Sequence, residues 1–344
     1  MSIKKKFLSF ATMLALVICF VSACGGDGNN SGKSTGGVSG SAASGEKKIS
    51  IVTTIFPEYD WVKQILGEQS ENVELTMLLD KGVDLHSYQP TAQDMMKIAT
   101  CDLFIYVGGE SDEWVEDALK EAVNKDMKAV NLLEALGSSV KEEEVVEGME
   151  GEEEEGEEEE GEEEGPEYDE HVWLSLKNAQ TLCTAIAKEL SSIDAANAGT
   201  YEKNAAAYND KLAALDAEYK EVADKSSVKT ILFGDRFPFR YLADDYDLSY
   251  YAAFVGCSAE TEASFETVTF LAKKVDELGL KAIFTIEGQE HKIAETIRNN
   301  TKDKNQEIVV LDSMQSTTSA DAEAGTTYLD IMTKNLDSLK SALE

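Results

Sequence analysis

The sequence predicts an α/β protein of two lobes, each a mainly parallel sheet flanked by helices, joined by one long rigid helix. Three observations lead there. Strand-like runs alternate with amphipathic helical stretches over residues 49–132, the layout of βα units around a parallel sheet. The same alternation returns over residues 228–343. Between the two sets lie stretches rich in Ala, Lys, Glu and Leu, without proline and with apolar residues at helical spacing. With 344 residues, 42% of them hydrophobic, the chain is long enough for two domains of about 150 residues each.

In the N-terminal lobe, residues 48–194, strands are expected at Ile49 to Ile55, Val73 to Leu79, Leu103 to Val107 and Ala129 to Leu132. Helices are expected at Glu58 to Leu66, Ala92 to Ile98 and Glu113 to Val123, with Ala179 to Asp194 closing the lobe. The linking helix, residues 195–226, rests on Ala195 to Ala223, about 29 residues and so roughly 43 Å at 1.5 Å per residue. The C-terminal lobe, residues 227–344, repeats the plan with strands at Val228 to Phe233, Ser249 to Phe254, Ala282 to Ile286 and Ile308 to Leu311. Its helices fall at Phe265 to Leu278, Ile293 to Asn299 and Thr326 to Leu343.

The N-terminus reads as an address. Lys4, Lys5 and Lys6 precede an apolar run from Phe7 to Val21, which marks residues 1–23 as a secretory signal peptide. Val21-Ser22-Ala23-Cys24 resembles the bacterial lipobox, so Cys24 is expected to be lipidated and to hold the protein at the extracytoplasmic face of the cell membrane. Residues 24–47, rich in Gly and Ser, form the tether. The formal charge is −35, from 31 Lys and Arg against 66 Asp and Glu, and losing three signal-peptide lysines makes it −38. A nucleic-acid binder needs a basic surface and is excluded. Cys101, Cys183 and Cys257 remain, an odd number that cannot all pair within one chain. Cys101 and Cys183 read as small buried hydrophobes.

From Lys141 to Glu170 the chain holds eighteen glutamates, Asp169 and one lysine. Such a run repels itself and cannot bury a face, so an acidic, disordered, solvated loop is expected at about residues 141–168. It serves either as a solubilising insert or as a collector of cations. Just before and after it lie the residues with chemistry. His86, in Gly82-Val83-Asp84-Leu85-His86-Ser87-Tyr88-Gln89-Pro90, follows a strand and precedes a helix starting near Pro90 or Thr91. His171 follows the acidic run in Asp169-Glu170-His171-Val172-Trp173-Leu174, and Asp312 closes the strand Ile308 to Leu311. Ligands of open α/β sheets bind at the carboxyl ends of strands. Two histidines and a carboxylate at such ends point to a metal site. His291, at the start of a helix, reads as a surface residue.

These segments resemble a known family, the metal-binding lipoproteins of bacterial zinc and manganese ABC importers, the cluster A-I or cluster 9 solute-binding proteins. The similarity runs through Thr53-Thr54-Ile55-Phe56-Pro57, Gly82 to Pro90, Asp169 to Asn178, Tyr241 to Leu248, Ile283 to Glu287 and Val309 to Ser313. It implies a metal held between the lobes by His86 and His171 of the first lobe and Asp312 of the second. At the family's third-ligand position this sequence has Arg236, which cannot donate a lone pair. The remaining ligand is then Asp235 one residue earlier, a water, or nothing. Arg236 and Glu287 are expected to line the cleft behind the ligands, with Asp235, Glu287 and Asp312 offsetting the guanidinium charge.

The expected function is capture of a divalent transition metal, Zn²⁺ first and Mn²⁺ as the alternative, and its delivery by a monomer to an ABC permease with its ATPase. A surface adhesion lipoprotein is a different reading. A zinc hydrolase has little support, because no catalytic base stands out beside the two histidines and the carboxylate, and no enzyme activity is expected.

Overall fold

Parallel pairing runs through the named strands. The structure, a computed structural model, describes residues 48–151, 167–258, 262–288 and 290–343. The expected signal peptide, Cys24 and the tether lie outside the described residues, as does the centre of the acidic segment. In chain order the first elements are β1 (Ile49–Thr53), α1 (Phe56–Leu66), β2 (Val73–Met77), α2 (Ala92–Thr100), β3 (Leu103–Tyr106), α3 (Trp114–Lys120), β4 (Lys128–Asn131) and α4 (Leu132–Leu136). The strands form one parallel sheet in the order β2-β1-β3-β4. Leu103, Phe104 and Ile105 of β3 have no exposed surface, as a central parallel strand covered on both faces requires. α2 starts at Ala92 as expected, and Thr91, also considered as its first residue, is the cap instead. Thr91 is its N-cap and shares a reciprocal capping box with Asp94, so Ala92 is the first helical residue.

Two long helices follow, α5 (Leu176–Ile193) and α6 (Ala198–Lys225). The 28 residues of α6 reach roughly 42 Å at 1.5 Å per residue. Tyr201, Ala205, Tyr208, Leu212, Leu215 and Tyr219 are buried on one stripe of α6, which packs on α1 and α5 and, further along, on the last helix of the chain. Cys101 and Cys183 are buried, as small apolar side chains would be.

The remaining elements are β5 (Thr230–Leu232), β6 (Arg236–Phe237), α7 (Arg240–Asp245), β7 (Ser249–Tyr251), β8 (Phe254–Val255), α8 (Phe265–Leu278), β9 (Ala282–Thr285), α9 (Lys292–Asn300), β10 (Glu307–Val310), α10 (Ser319–Glu323) and α11 (Tyr328–Leu343). The strands pair in parallel as β5-β7, β6-β8 and β9-β10, and a bridge from Phe233 to Phe284 ties the first pair to the third. The strand expected at Ser249 to Phe254 is split. Phe233 N–H reaches Tyr251 O at 2.8 Å, and two residues on Ala253 N–H reaches Asp235 O at 3.1 Å, so the chain changes partner from β5 to β6. Among the described residues no helix is long and apolar enough to cross a membrane.

The acidic segment departs from expectation at both ends. Glu142 and Tyr168 pair in an antiparallel bridge, and Glu150 bridges to Phe254. Met149 is buried in the core, while Glu144 pairs with Arg240 at 3.2 Å and Glu147 with Lys274 at 3.2 Å. Val146 and Met149 give the stretch an apolar side that composition alone conceals, while Glu144 and Glu147 stay outward where cations meet them. Residues 152–166 lie outside the described residues.

The second half also satisfies the backbone of the first. The Tyr241 hydroxyl donates to Asp169 O at 2.8 Å, Trp173 Nε1–H donates to Ser313 O at 2.9 Å, and the Tyr328 hydroxyl donates to Trp173 O at 2.6 Å. Tyr328→Phe should lower stability by about 1–3 kcal/mol, because it strands a buried carbonyl; urea unfolding measures this, and an unchanged midpoint refutes it.

Glu58 is fully buried and caps α1, accepting from Thr54 N–H at 2.8 Å and Ile55 N–H at 3.3 Å. Burial, with the Asp112 carboxylate nearby, pushes its pKa up to about 8. A carboxyl whose pKa is raised on folding stabilises fully below its unfolded pKa and loses that contribution as pH rises through the folded value. Stability should therefore fall between about pH 5 and about pH 8, and Glu58→Gln should flatten that fall. Parallel slopes for the two proteins in urea titrations across this range would refute the assignment.

Candidate metal centre

His86 stands in a single turn, Leu85–Ser87, that follows the first sheet's β2. Asp84 caps this turn, its carboxylate accepting from His86 N–H at 3.0 Å. His171 begins the turn Val172–Leu174 that leads into α5. Its backbone N–H donates to Asp169 Oδ1 at 2.8 Å, and its Nδ1 lies 3.1 Å from the same oxygen. A carboxylate oxygen can only accept here, so the ring proton sits on Nδ1 and Nε2 presents a lone pair.

That lone pair faces the other histidine. His86 Nε2 and His171 Nε2 are 3.1 Å apart. His86 Nδ1 lies 2.7 Å from Ser111 Oγ and 3.5 Å from Glu170 Oε2. Two nitrogens about 2.0–2.1 Å from a tetrahedral zinc would stand roughly 3.4 Å apart. Each imidazole thus has an oxygen partner on Nδ1 and turns Nε2 to the same point, the arrangement of metal-bound histidines backed by carboxylates. Burial, followed by the facing His171 ring, holds the His86 pKa well below its ordinary value, so the imidazole is neutral and able to ligate.

Glu170 is buried, and burial pushes its pKa up to about 7 although Ser111 N–H donates to Oε1 at 2.9 Å. Its seat depends on Gly109, where a Cβ would come within 2.3 Å of Glu170 Oε1 and where φ is +83°. On the other side, a Cβ at Gly256 would come within 2.9 Å of His171 Cε1 and 3.0 Å of Phe237 O. Only glycine lets the turn after β8 lie against the imidazole.

That turn brings in a residue the sequence reading left without a role. Among the described residues, His86, His171 and Cys257 form a group whose ligand atoms all lie within 4.8 Å of one another. The available signal was positional, since Cys257 follows a strand end just as His86 does. Neither Asp312 nor Asp235 joins the group. Asp312 Oδ1 accepts from Met314 N–H at 2.8 Å, and burial, then the neighbouring Glu287, pushes its pKa up to about 6. Asp235 accepts from Arg236 N–H at 2.9 Å, Thr285 Oγ1–H at 2.6 Å and Ile286 N–H at 3.3 Å. Glu287 anchors the following loop through Ser313 N–H at 2.6 Å and Gln315 N–H at 3.1 Å.

The carboxylate that offsets Arg236 is Asp84, and the two side chains are paired directly. Burial alone would raise the Asp84 pKa, but the hydrogen bond and charge of Arg236 hold it below the usual carboxylate range. The expected offset by Asp235, Glu287 and Asp312 gives way to this pair, which spans 152 positions of sequence. His291 is half-buried, with Nδ1 3.2 Å from Thr285 Oγ1, rather than a plain surface residue.

Comparison with known proteins shows the family. The family model for ZnuA, described as zinc-uptake complex component A, periplasmic, matches residues 51–342. The chain is 33% identical over 297 residues to the zinc-binding lipoprotein AdcA of Streptococcus pneumoniae, a match covering 86% of this chain and 56% of AdcA, little more than half of that relative's length. It is 32% identical over 339 residues to the high-affinity zinc uptake system protein ZnuA of Bacillus subtilis, covering 98% of each. The crystal structure of the Zn(II)-bound ZnuA-like domain of S. pneumoniae AdcA is similar with a TM-score of 0.66 at 30% identity, over 86% of this chain and 99% of that one. The chain belongs to the ZnuA family of zinc-uptake complex component A proteins.

Proposed function

We propose that the protein captures a divalent transition metal, zinc first, outside the cytoplasm and hands it to an ABC permease with its ATPase. The observation that carries this reading is the pair of Nε2 atoms 3.1 Å apart, with Asp169 fixing one lone pair inward. A divalent ion placed between them would take one lone pair from each imidazole. The zinc-binding and zinc-uptake names of the relatives in S. pneumoniae and B. subtilis support zinc over manganese. We further propose that residues 1–23 are removed, that a lipid on Cys24 holds the monomer to the membrane through a tether of residues 24–47, and that the lobes are residues 48–194 and 227–344. The lipoprotein name of AdcA supports the anchor.

His86→Ala and His171→Ala should each weaken zinc binding at least about tenfold and leave the fold intact, and Asp169→Asn, which unfixes the His171 tautomer, should cost about 10–100-fold. Competition titration against a chelator, with circular dichroism as the folding control, measures all three; wild-type affinity in either histidine variant refutes the site.

Deleting residues 152–164, which hold eleven glutamates, should slow zinc association at low salt and leave the affinity at high salt unchanged, since solvated charge acts through a field that salt screens. Stopped-flow rates against ionic strength test this. An equal loss of affinity at high salt would make those carboxylates ligands.

A further inference from the structure

The geometry points to Cys257 as a third metal ligand, a thiolate that completes a His86, His171, Cys257 site and selects zinc against manganese. This rests on the metal-capture reading and goes beyond it by naming the donor that decides which metal is held.

Position is the first support. Arg236 of β6 is in register with Phe254 of β8, and Phe237 with Val255. The donor that Arg236 cannot provide is therefore replaced from the adjacent strand, two residues past its last paired position. Arg236 itself is paired with Asp84, and the turn after β8 lies beside the histidines. Gly256 permits that turn to press on His171, with Cβ clearance of only 2.9 Å to the ring. Cys257 then has its sulfur within 4.8 Å of both histidine donor atoms. A metal with N ligands at about 2.0–2.1 Å and S at about 2.3 Å needs N···S separations of roughly 3.6 Å, a small contraction of what is already assembled.

Independent support comes from His171, which is fully buried and whose Nε2 lies 3.1 Å from His86 Nε2. A cysteine beside one exposed histidine would be incidental; here a buried imidazole with its tautomer fixed by Asp169 converges on it. Charge agrees as well. The Arg236 guanidinium is paired with Asp84, so a thiolate and a divalent ion leave a local charge of one, with Asp169 and Glu170 behind the two imidazoles. The thiol gives up its proton on binding, because the thiolate is the ligand.

The consequence is selectivity. Thiolate with imidazole suits zinc, whereas manganese favours oxygen donors. Neither Asp312 nor Asp235 joins the ligand group, so the site lacks the carboxylates that would tilt it toward manganese.

The test uses the full chain loaded with Co²⁺ as a spectroscopic substitute for Zn²⁺. The wild type should show an intense near-ultraviolet sulfur-to-cobalt charge-transfer band with tetrahedral visible bands. Cys257→Ser should lose the charge-transfer band, and Cys101→Ser and Cys183→Ser should keep it. Zinc affinity of Cys257→Ser should fall by about 10-fold or more while that for Mn²⁺ stays level, and Cys257→His should recover zinc binding without the band. Cobalt and zinc bound by the wild type with no charge-transfer band, or zinc affinity unchanged in Cys257→Ser, overturns the cysteine ligand and leaves the capture reading standing. A wild type that binds neither metal overturns the capture reading and the ligand together. The wild-type spectrum needs no variant to fold.

Discussion

A fully buried imidazole must have a partner for each of its nitrogens, and His171 meets that demand in a way that shapes much of the molecule. Asp169 takes Nδ1, leaving Nε2 aimed at His86. Asp169 can do so only because its own backbone is held: Tyr241 donates to its carbonyl, and its N–H reaches Lys141 O at 2.9 Å. Trp173, two residues beyond His171, is held by Ser313 and Tyr328 from the second half of the chain. Buried backbone groups must be paired, and here Tyr241, Ser313 and Tyr328, each more than 70 residues from its partner, pair groups of the ligand-bearing segment. The geometry of the metal centre is thus a property of how the two halves close on that segment.

Electrostatics follows the same logic. A divalent ion entering a largely buried site needs negative charge close by, yet charges brought together before the ion arrives repel or lose solvation. The site manages this with groups that are neutral or paired in the absence of metal. The Glu170 pKa is pushed up to about 7, the His86 ring is held neutral, and Asp84 is matched by Arg236. An arginine at a metal centre looks adverse in sequence because its charge is permanent. In the structure it is spent on a carboxylate that also caps the turn bearing His86, so it orients a ligand at little cost to the cation.

Much of this was legible beforehand, and the boundary of legibility has physical causes. Long periodic elements were plain: the β3 run Leu103 to Ile105 has a parallel strand's unbroken hydrophobicity, and α6 has an apolar stripe and no proline. His86 and His171 stood out because each follows an element end in a sheet that binds ligands there. Elements of two to six residues, such as β6, β8 and α7, are too short to show a period, so the turn carrying Cys257 was hidden with them. The pairing of Arg236 with Asp84 joins positions 152 apart and leaves no local trace. The ends of the acidic segment were misjudged because net charge was weighed without its alternation; Val146 and Met149 sit among the glutamates and pack on the core.

Those structured ends also explain how a chain can place so acidic an insert two residues from a buried ligand. The bridge between Glu142 and Tyr168, with Glu143 N–H donating to Glu167 O at 2.9 Å, closes a stem at the insert's base. Beyond a closed stem, extra length costs only about 0.6 kcal/mol for each doubling of a loop. Asp169 lies just past this stem, and its N–H is committed to Lys141 O. The position of His171 Nε2 is set by Asp169, Tyr241 and Gly256, none of which belongs to the insert.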